Sequence, residues 1–292
     1  MLRADQGLTY YIGRRDMRGM RAKKEKRRLE RNMNGFCVSS MRLQAGRIAT
    51  LMISLMLMTQ AQAEDFTIAA ASDLRYALDE IIQAYRVEHP EHEPTVIYGS
   101  SGQFFTQISN GAPFDLYFSA DIAYPEQLQA AGLTATKPSV YAIGRIALWS
   151  AGMDASTLRL QDLTRDDIRR IAIAQPEHAP YGQRAMEAMQ SAGVWDAVQS
   201  KLVFGENISQ AAQMAESGAA DVGIIALSLA LFPAMSARSY SLIDADLHAP
   251  LTQAYVVTRQ GEGKAAALDF ARYMESDAAH GIMQRYGFLI SE

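Results

Sequence analysis

Four stretches of this sequence place small hydrogen-bond donors where a helix begins. In residues 66–74 (FTIAAASDL) an apolar run ends at Ser72. From Leu74 the apolar positions fall at Ala77, Leu78, Ile81, Ile82 and Tyr85, the spacing of one helical face. Ser72 stands where an N-cap belongs. Residues 95–102 (TVIYGSSG) end an apolar run in Ser100 and Ser101, and Gly99 and Gly102 let backbone approach a ligand closely. Residues 172–182 (AIAQPEHAPYG) read as strand, short loop and helix start, and residues 206–209 (ENIS) as a polar break before another helix. The first amides of a helix have no intrahelical acceptor and lie at the positive end of its dipole, so each junction offers a seat for an anion. A hydroxyl there also caps its own helix, and every α/β chain has several such turns. The pattern fits an oxyanion held by uncharged donors, and it fits plain capping as well.

Other chemistries find less support. Ser101 has glycines nearby, but Gln103 follows Gly102, so the Gly-x-Ser-x-Gly elbow of a serine hydrolase is not formed and no enzyme is expected. His89, His92, His178, His248 and His280 show no metal-ligand spacing with a matching third partner, so no directly bound metal is expected. Asp73, beside Ser72, would suit a protonated phosphate if it pointed inward. In the first turn of a helix it also favours its own dipole, and that placement turns the carboxylate away from a ligand. Met186, Met189, Met214 and Met235 fall at helical spacing and read as core filler; Trp149 and Trp195 read as packing residues.

Positioning these junctions takes an alternating chain. Strands are expected at 95–98, 116–119, 142–150, 171–174, 203–204, 222–227 and 254–258. Helices are expected at 102–110, 124–131, 160–170, 183–192, 209–217, 265–275 and 278–286. Alternation of this kind predicts an α/β fold with a parallel sheet covered on both faces. Ligands of such sheets sit beyond the carboxyl ends of the strands, where the four junctions would meet.

The chain opens with a basic stretch that lacks periodicity, residues 1–40, expected to be upstream sequence outside the protein proper. Met41 begins a better-formed N-terminus, and residues 41–63 read as a signal peptide. Arg42 and Arg47 precede an apolar run at 48–58 (IATLMISLMLM), and Ala61-Gln62-Ala63 supplies the small-x-small cleavage signature. The apolar run is too short to span a membrane. Glu64 would then be the first residue of a mature periplasmic chain. Cys37, the one cysteine, is lost with the leader, leaving no disulfide, thiolate or lipid-acceptor cysteine. Thirteen of the 28 basic residues and 4 of the 32 acidic ones lie in residues 1–63, so the mature chain carries about −13, which excludes nucleic acid as a partner.

The motifs AAASDL, YGSSGQ, GAPFDLYFSAD (residues 111–121), QPEHAPYGQRA (175–185), the break at 206–209 and RYGF (285–288) occur in that order. Together they resemble the periplasmic molybdate-binding proteins, the substrate-capturing subunits of ABC importers, over essentially all of residues 65–291. The resemblance implies a two-lobed type II periplasmic binding protein, each lobe a mostly parallel sheet flanked by helices, joined by crossover strands near 143–150 and 252–258. Residues 64–142 plus 254–292 would form lobe I and 143–253 lobe II. It also implies a monomer that binds molybdate, and tungstate, without a cofactor and hands it to a membrane permease; phosphate and sulfate are the alternative tetrahedral ligands. The site it implies consists of Ser72 and Ser101, each with hydroxyl and backbone N–H, and the backbone N–H groups of Tyr181 and Ile208 from the other lobe. Many members add a tyrosine hydroxyl from a Gly-Ile-x-Tyr strand. Here Gly223-Ile224-Ile225-Ala226 has alanine at that place, and the Tyr181 phenol is expected to supply the missing hydroxyl.

Overall fold

The computed structural model describes residues 64–290; the upstream segment and the signal peptide expected from the sequence lie outside the described residues. Strand β1 (Glu64–Ala71) passes through a 3-10 turn, Ser72–Leu74, into helix α1 (Arg75–Glu88). β2 (His92–Gly99), α2 (Ser101–Ser109), β3 (Leu116–Ser119), α3 (Ala123–Ala130) and β4 (Ser139–Gly144) follow. The middle of the chain holds β5 (Ile146–Trp149), β6 (Ile171–Ala174), α4 (Pro180–Ser191), α5 (Trp195–Val198), β7 (Leu202–Gly205), α6 (Ile208–Glu216), β8 (Val222–Ala226), α7 (Leu227–Ala230) and β9 (Tyr240–Leu242). β10 (Leu251–Val257), α8 (Ala265–Tyr273) and α9 (Asp277–Arg285) close it.

The strands form two five-stranded sheets, in the orders β2-β1-β3-β10-β4 and β7-β6-β8-β5-β9, one in each lobe. Both are mixed, where a mostly parallel sheet was expected. β1 pairs parallel with β2 and β3, and β6 with β7 and β8. β10 and β4, and likewise β5 and β9, add antiparallel pairings. The reason lies in the connections. Only Arg145 separates β4 from β5, so the chain steps from one sheet to the other there and comes back along β10. An apolar run does not encode the direction in which a strand is entered.

Strands β3, β6 and β8 are buried at every residue, as expected of central strands covered on both faces. Edge strand β2 exposes the alternate positions Glu93, Thr95 and Ile97, and β7 and β9 are only partly covered. One apolar core gathers Ile68, Leu78, Phe118 and Phe270, a second Trp149, Ile173, Met189 and Ile224, and a smaller third Phe104, Tyr117 and Val256. Ala71 ends β1 and Ala120 directly follows β3, yet both belong to the second core, so the lobes are in direct contact. In each sheet the parallel triplet has its first strand in the middle. The connections from that strand leave to opposite sides and open a crevice at its carboxyl end.

Candidate functional site

The two crevices face each other across a small cavity of about 190 Å³, its mouth included, lined from one lobe by the ends of β1, β2 and β3 and from the other by the starts of α4 and α6. All four residues expected to bind the ligand line it: Ser72, Ser101, Tyr181 and Ile208. Ser72 and Ser101 are 2% and 1% exposed, so both are out of reach of bulk water. Among the described residues no lysine or arginine lines the cavity, and Asp73 is the one charged residue that does.

Each donor is delivered by a tight junction. Ser101 is the first residue of α2. Its Oγ accepts the Ala120 N–H at 3.0 Å, which fixes the side chain while leaving the hydroxyl hydrogen to donate. Tyr181 and Ile208 are the second and first residues of α4 and α6, so no intrahelical carbonyl can reach their amides. Pro180 opens α4 in the position that suits its locked φ and missing N–H. Gly182 is obligatory for packing: a Cβ there would overlap the carbonyl of Ala174, the last residue of β6. Gly102 plays the same part in α2, where a Cβ would come within 2.7 Å of the His178 carbonyl.

Ser72 does not cap its own helix. It is the first residue of the 3-10 turn, Ala71 holds the cap position, and no side-chain cap bond is made. The hydroxyl reaches across to the other lobe instead. It donates to Asn207 Oδ1 at 3.1 Å and accepts the Ser209 N–H at 3.2 Å, while Ser209 Oγ donates to the Ser72 carbonyl at 2.9 Å. Asn207 is itself the N-cap of α6, accepting from the Gln210 N–H. The sequence marked Ser72 as a cap because the position is right by spacing; the bond partner lies 135 residues away and leaves no local trace.

The expected role of the Tyr181 phenol is overturned. Its hydroxyl donates to Asp73 Oδ2 at 2.9 Å and accepts from Gln253 Nε2 at 2.9 Å. A phenol has one proton, and this one is already given to a carboxylate. Tyr181 therefore has its backbone N–H to offer. Asp73, expected to turn its carboxylate away from the ligand, is among the residues that line the cavity; it is 1% exposed, and Oδ2 also accepts from Gln253 Nε2 at 2.8 Å. Tyr141 donates to Gln253 Oε1 at 2.6 Å and orients that amide, and Asp73 Oδ1 has no protein partner among the described residues. Burial pushes the Asp73 carboxyl up to about 6, against the pull of the Gln253 and Tyr181 bonds. Burial and the neighbouring carboxylate drive the Tyr181 phenol well above its ordinary value.

His178 is a second residue that sequence reasoning missed. Its carbonyl accepts the Gly102 N–H at 2.9 Å and the Ser100 hydroxyl, and its Nδ1 lies 3.0 Å from the same Ser100 Oγ. It ties the α2 junction to the α4 junction across the crevice. The signal was present in QPEHAPYG, but a histidine within a binding loop reads as readily as a ligand contact or a surface residue.

A family model described as bacterial extracellular solute-binding protein matches residues 66–289. The chain is 34% identical over 251 residues to the molybdate-binding protein ModA of Rhodobacter capsulatus, covering 85% of this chain and 96% of that one. It is 30% identical over 250 residues to the ModA of Azotobacter vinelandii, covering 85% and 99%. Among solved structures it is similar to the periplasmic molybdate-binding protein of Azotobacter vinelandii, with a TM-score of 0.73 at 29% identity over 78% of this chain and 100% of that one. The sulfate-binding protein SubI of Mycobacterium tuberculosis shares the fold, with a TM-score of 0.64 at 16% identity over 78% and 87%.

Proposed function

The chain belongs to the family of bacterial extracellular solute-binding proteins, and from that membership we propose that it captures molybdate, and tungstate with it, for delivery to the membrane permease of an ABC importer. It acts as an exported monomer beginning at Glu64, catalyses nothing and needs no cofactor. Its ligand is held by the Ser101 hydroxyl and by the amides of Ser72, Ser101, Tyr181 and Ile208, the Ser72 hydroxyl proton being given to Asn207.

The observation that supports this reading is that these four residues line one cavity from two lobes, with no cationic side chain among the lining residues. Hydroxyls and helix-start amides fixed by packing need no reorganisation to meet a dianion, and they gain strength once water is shut out. These donors also disfavour a protonated oxyanion, whose O–H would need an acceptor, as long as the Asp73 carboxyl that lines the same cavity is itself protonated. Donors from the two lobes surround the ligand together only when the crevice is shut, so the ligand shifts the protein toward the closed form that a permease can recognise.

Calorimetric titration with molybdate, tungstate, sulfate and phosphate tests this. Molybdate and tungstate should bind at one equivalent, with sulfate and phosphate weaker by roughly a hundredfold or more, a difference of about 2.7 kcal/mol. No heat with molybdate, or equal affinity for sulfate or phosphate, overturns the proposal.

A further inference from the structure

We propose that His89, Glu91 and His92 form a binding site for a divalent ion of the zinc and copper class, at the end of lobe I away from the oxyanion cavity. The sequence pairs the two histidines with no third ligand; the turn between α1 and β2 supplies Glu91. One donor atom from each of the three lies within 4.8 Å of the other two. Glu91 Oε1 is 3.9 Å from His89 Nδ1 and 3.8 Å from His92 Nε2, too far in both cases for a hydrogen bond. Three donor atoms thus lie close together with no hydrogen bond between them. To hold an ion at about 2.0–2.2 Å from each, the Glu91 oxygen needs to draw in by about half an ångström toward each imidazole, and the two imidazole nitrogens, which lie within 4.8 Å of each other, close to about 3.4 Å.

The turn is built to keep them there. His92 N–H donates to the His89 carbonyl at 3.1 Å, and His89 N–H to the Tyr85 carbonyl at 2.8 Å, so the backbone of the turn is tied at both ends. The two imidazole planes lie 6° from parallel with centroids 5.4 Å apart, and one ring turns about its Cβ–Cγ bond to bring both lone pairs onto one ion. Behind them lies Tyr85, fully buried and packed edge-on against Phe270 and Tyr273. Its hydroxyl meets His92 Nδ1. When that contact is Nδ1–H donating to the phenol oxygen, the lone pair of Nε2 faces Glu91. This is the arrangement by which an outer hydrogen bond orients a metal-ligating imidazole.

Two neutral imidazoles and one carboxylate carry a single negative charge and suit a borderline divalent ion, with copper preferred over zinc and zinc over manganese by intrinsic affinity. Three protein ligands leave the remaining position to water. Helix α1 is 14 residues long, so the site lies about 20 Å along its axis from the cavity. An ion there pins the α1–β2 turn and does not touch the oxyanion.

The test titrates the untagged, exported chain with Zn²⁺ by calorimetry and records the visible spectrum with Co²⁺. One equivalent of Zn²⁺ should bind with a dissociation constant in the micromolar range, and Co²⁺ should give the absorption of a low-symmetry nitrogen–oxygen site. His89→Ala and Glu91→Gln should each weaken Zn²⁺ binding by at least about tenfold without lowering Tm in the absence of metal. Tyr85→Phe keeps all three ligands and should still weaken binding by about tenfold through His92. Binding only at millimolar Zn²⁺, or undiminished binding by the His89→Ala/Glu91→Gln double variant, overturns the proposal.

Discussion

Asp73 sits beside a cavity proposed for a dianion and has its pKa pushed up to about 6 by burial. The raised value means that its contribution to the closed, folded form is complete below the ordinary 3.8 and is lost as pH climbs through about 6. A dianion in the same cavity opposes the carboxylate further, so the complex holds the Asp73 proton to higher pH than the free protein. The groups facing it, Tyr181 and Tyr141, stay protonated throughout, since burial drives both phenols upward. Molybdate binding near pH 7 should therefore take up a proton. Affinity should rise as pH falls from about 8 to about 6, by at most about tenfold per unit. In Asp73→Asn the profile should be flat. Titrations in two buffers of different ionisation enthalpy measure the uptake, and an Asp73-independent profile would sink the coupling. None of this was legible beforehand. The sequence shows that Asp73 follows Ser72, but Gln253 lies 180 residues away and Tyr181 108. Whether a carboxylate faces solvent or a phenol is decided by those partners.

The elements were legible where a single signal dominated. Strands β3 and β6 begin and end where the apolar runs do, because both faces are buried and nothing interrupts the run. Segment 160–170 was expected to be helical and makes only the 3-10 turn Leu160–Thr164. There Asp162 takes the Arg159 N–H at 2.8 Å, a bond that starts a helical turn, and Arg165 turns extended and ends it. Three-residue β9, half exposed at a sheet edge, has too few positions for alternation to show. The same closeness of strand to helix that made the binding junctions visible also makes them fragile. Gly182→Ala drives a methyl into the Ala174 carbonyl and must push the first turn of α4 off β6, moving the Tyr181 amide. Overpacking of this kind costs about 1–3 kcal/mol of stability. Molybdate affinity should fall by more than about tenfold. Gly152→Ala, where the added methyl meets open space, should change neither. Urea melts beside calorimetry separate the two effects. An unchanged affinity in Gly182→Ala would remove the α4 amide from the site.

At the scale of the molecule, alternation of strand and helix showed an α/β chain but not that its two sheets are mixed, since hydropathy does not record strand direction. Nor does it show how the lobes meet. They are joined by polar contacts around the cavity: Ser228 Oγ donates to the Asp73 carbonyl at 2.8 Å, and the Ser72, Ser100 and Gly102 bonds cross the same gap. Outside the cavity, Tyr76 of α1 stacks on Phe232, and Arg184 of α4 pairs with Asp121 at 2.8 Å. The side chains of that ion pair are only 8% and 18% exposed, so it is shielded from salt far better than a surface pair. Asp121 does not line the cavity, which makes it a probe of closure alone. Its Oδ1 accepts the Ala123 N–H at 2.9 Å, and asparagine can keep that bond while losing the charge that faces Arg184. Arg184 retains Glu187, also at 2.8 Å, so the variant leaves no cation stranded. Asp121→Asn should therefore populate the open form more, and the apparent affinity for molybdate falls by the fraction that remains competent. Loss of about 1–2 kcal/mol from the closed form corresponds to a roughly five- to thirtyfold weaker Kd. Small-angle scattering should show a larger radius of gyration without ligand, and the wild-type value at saturating molybdate, with Tm little changed. If Asp121→Asn matches the wild type in both Kd and scattering, closure does not run through this pair and the lobes are held by the cavity contacts alone.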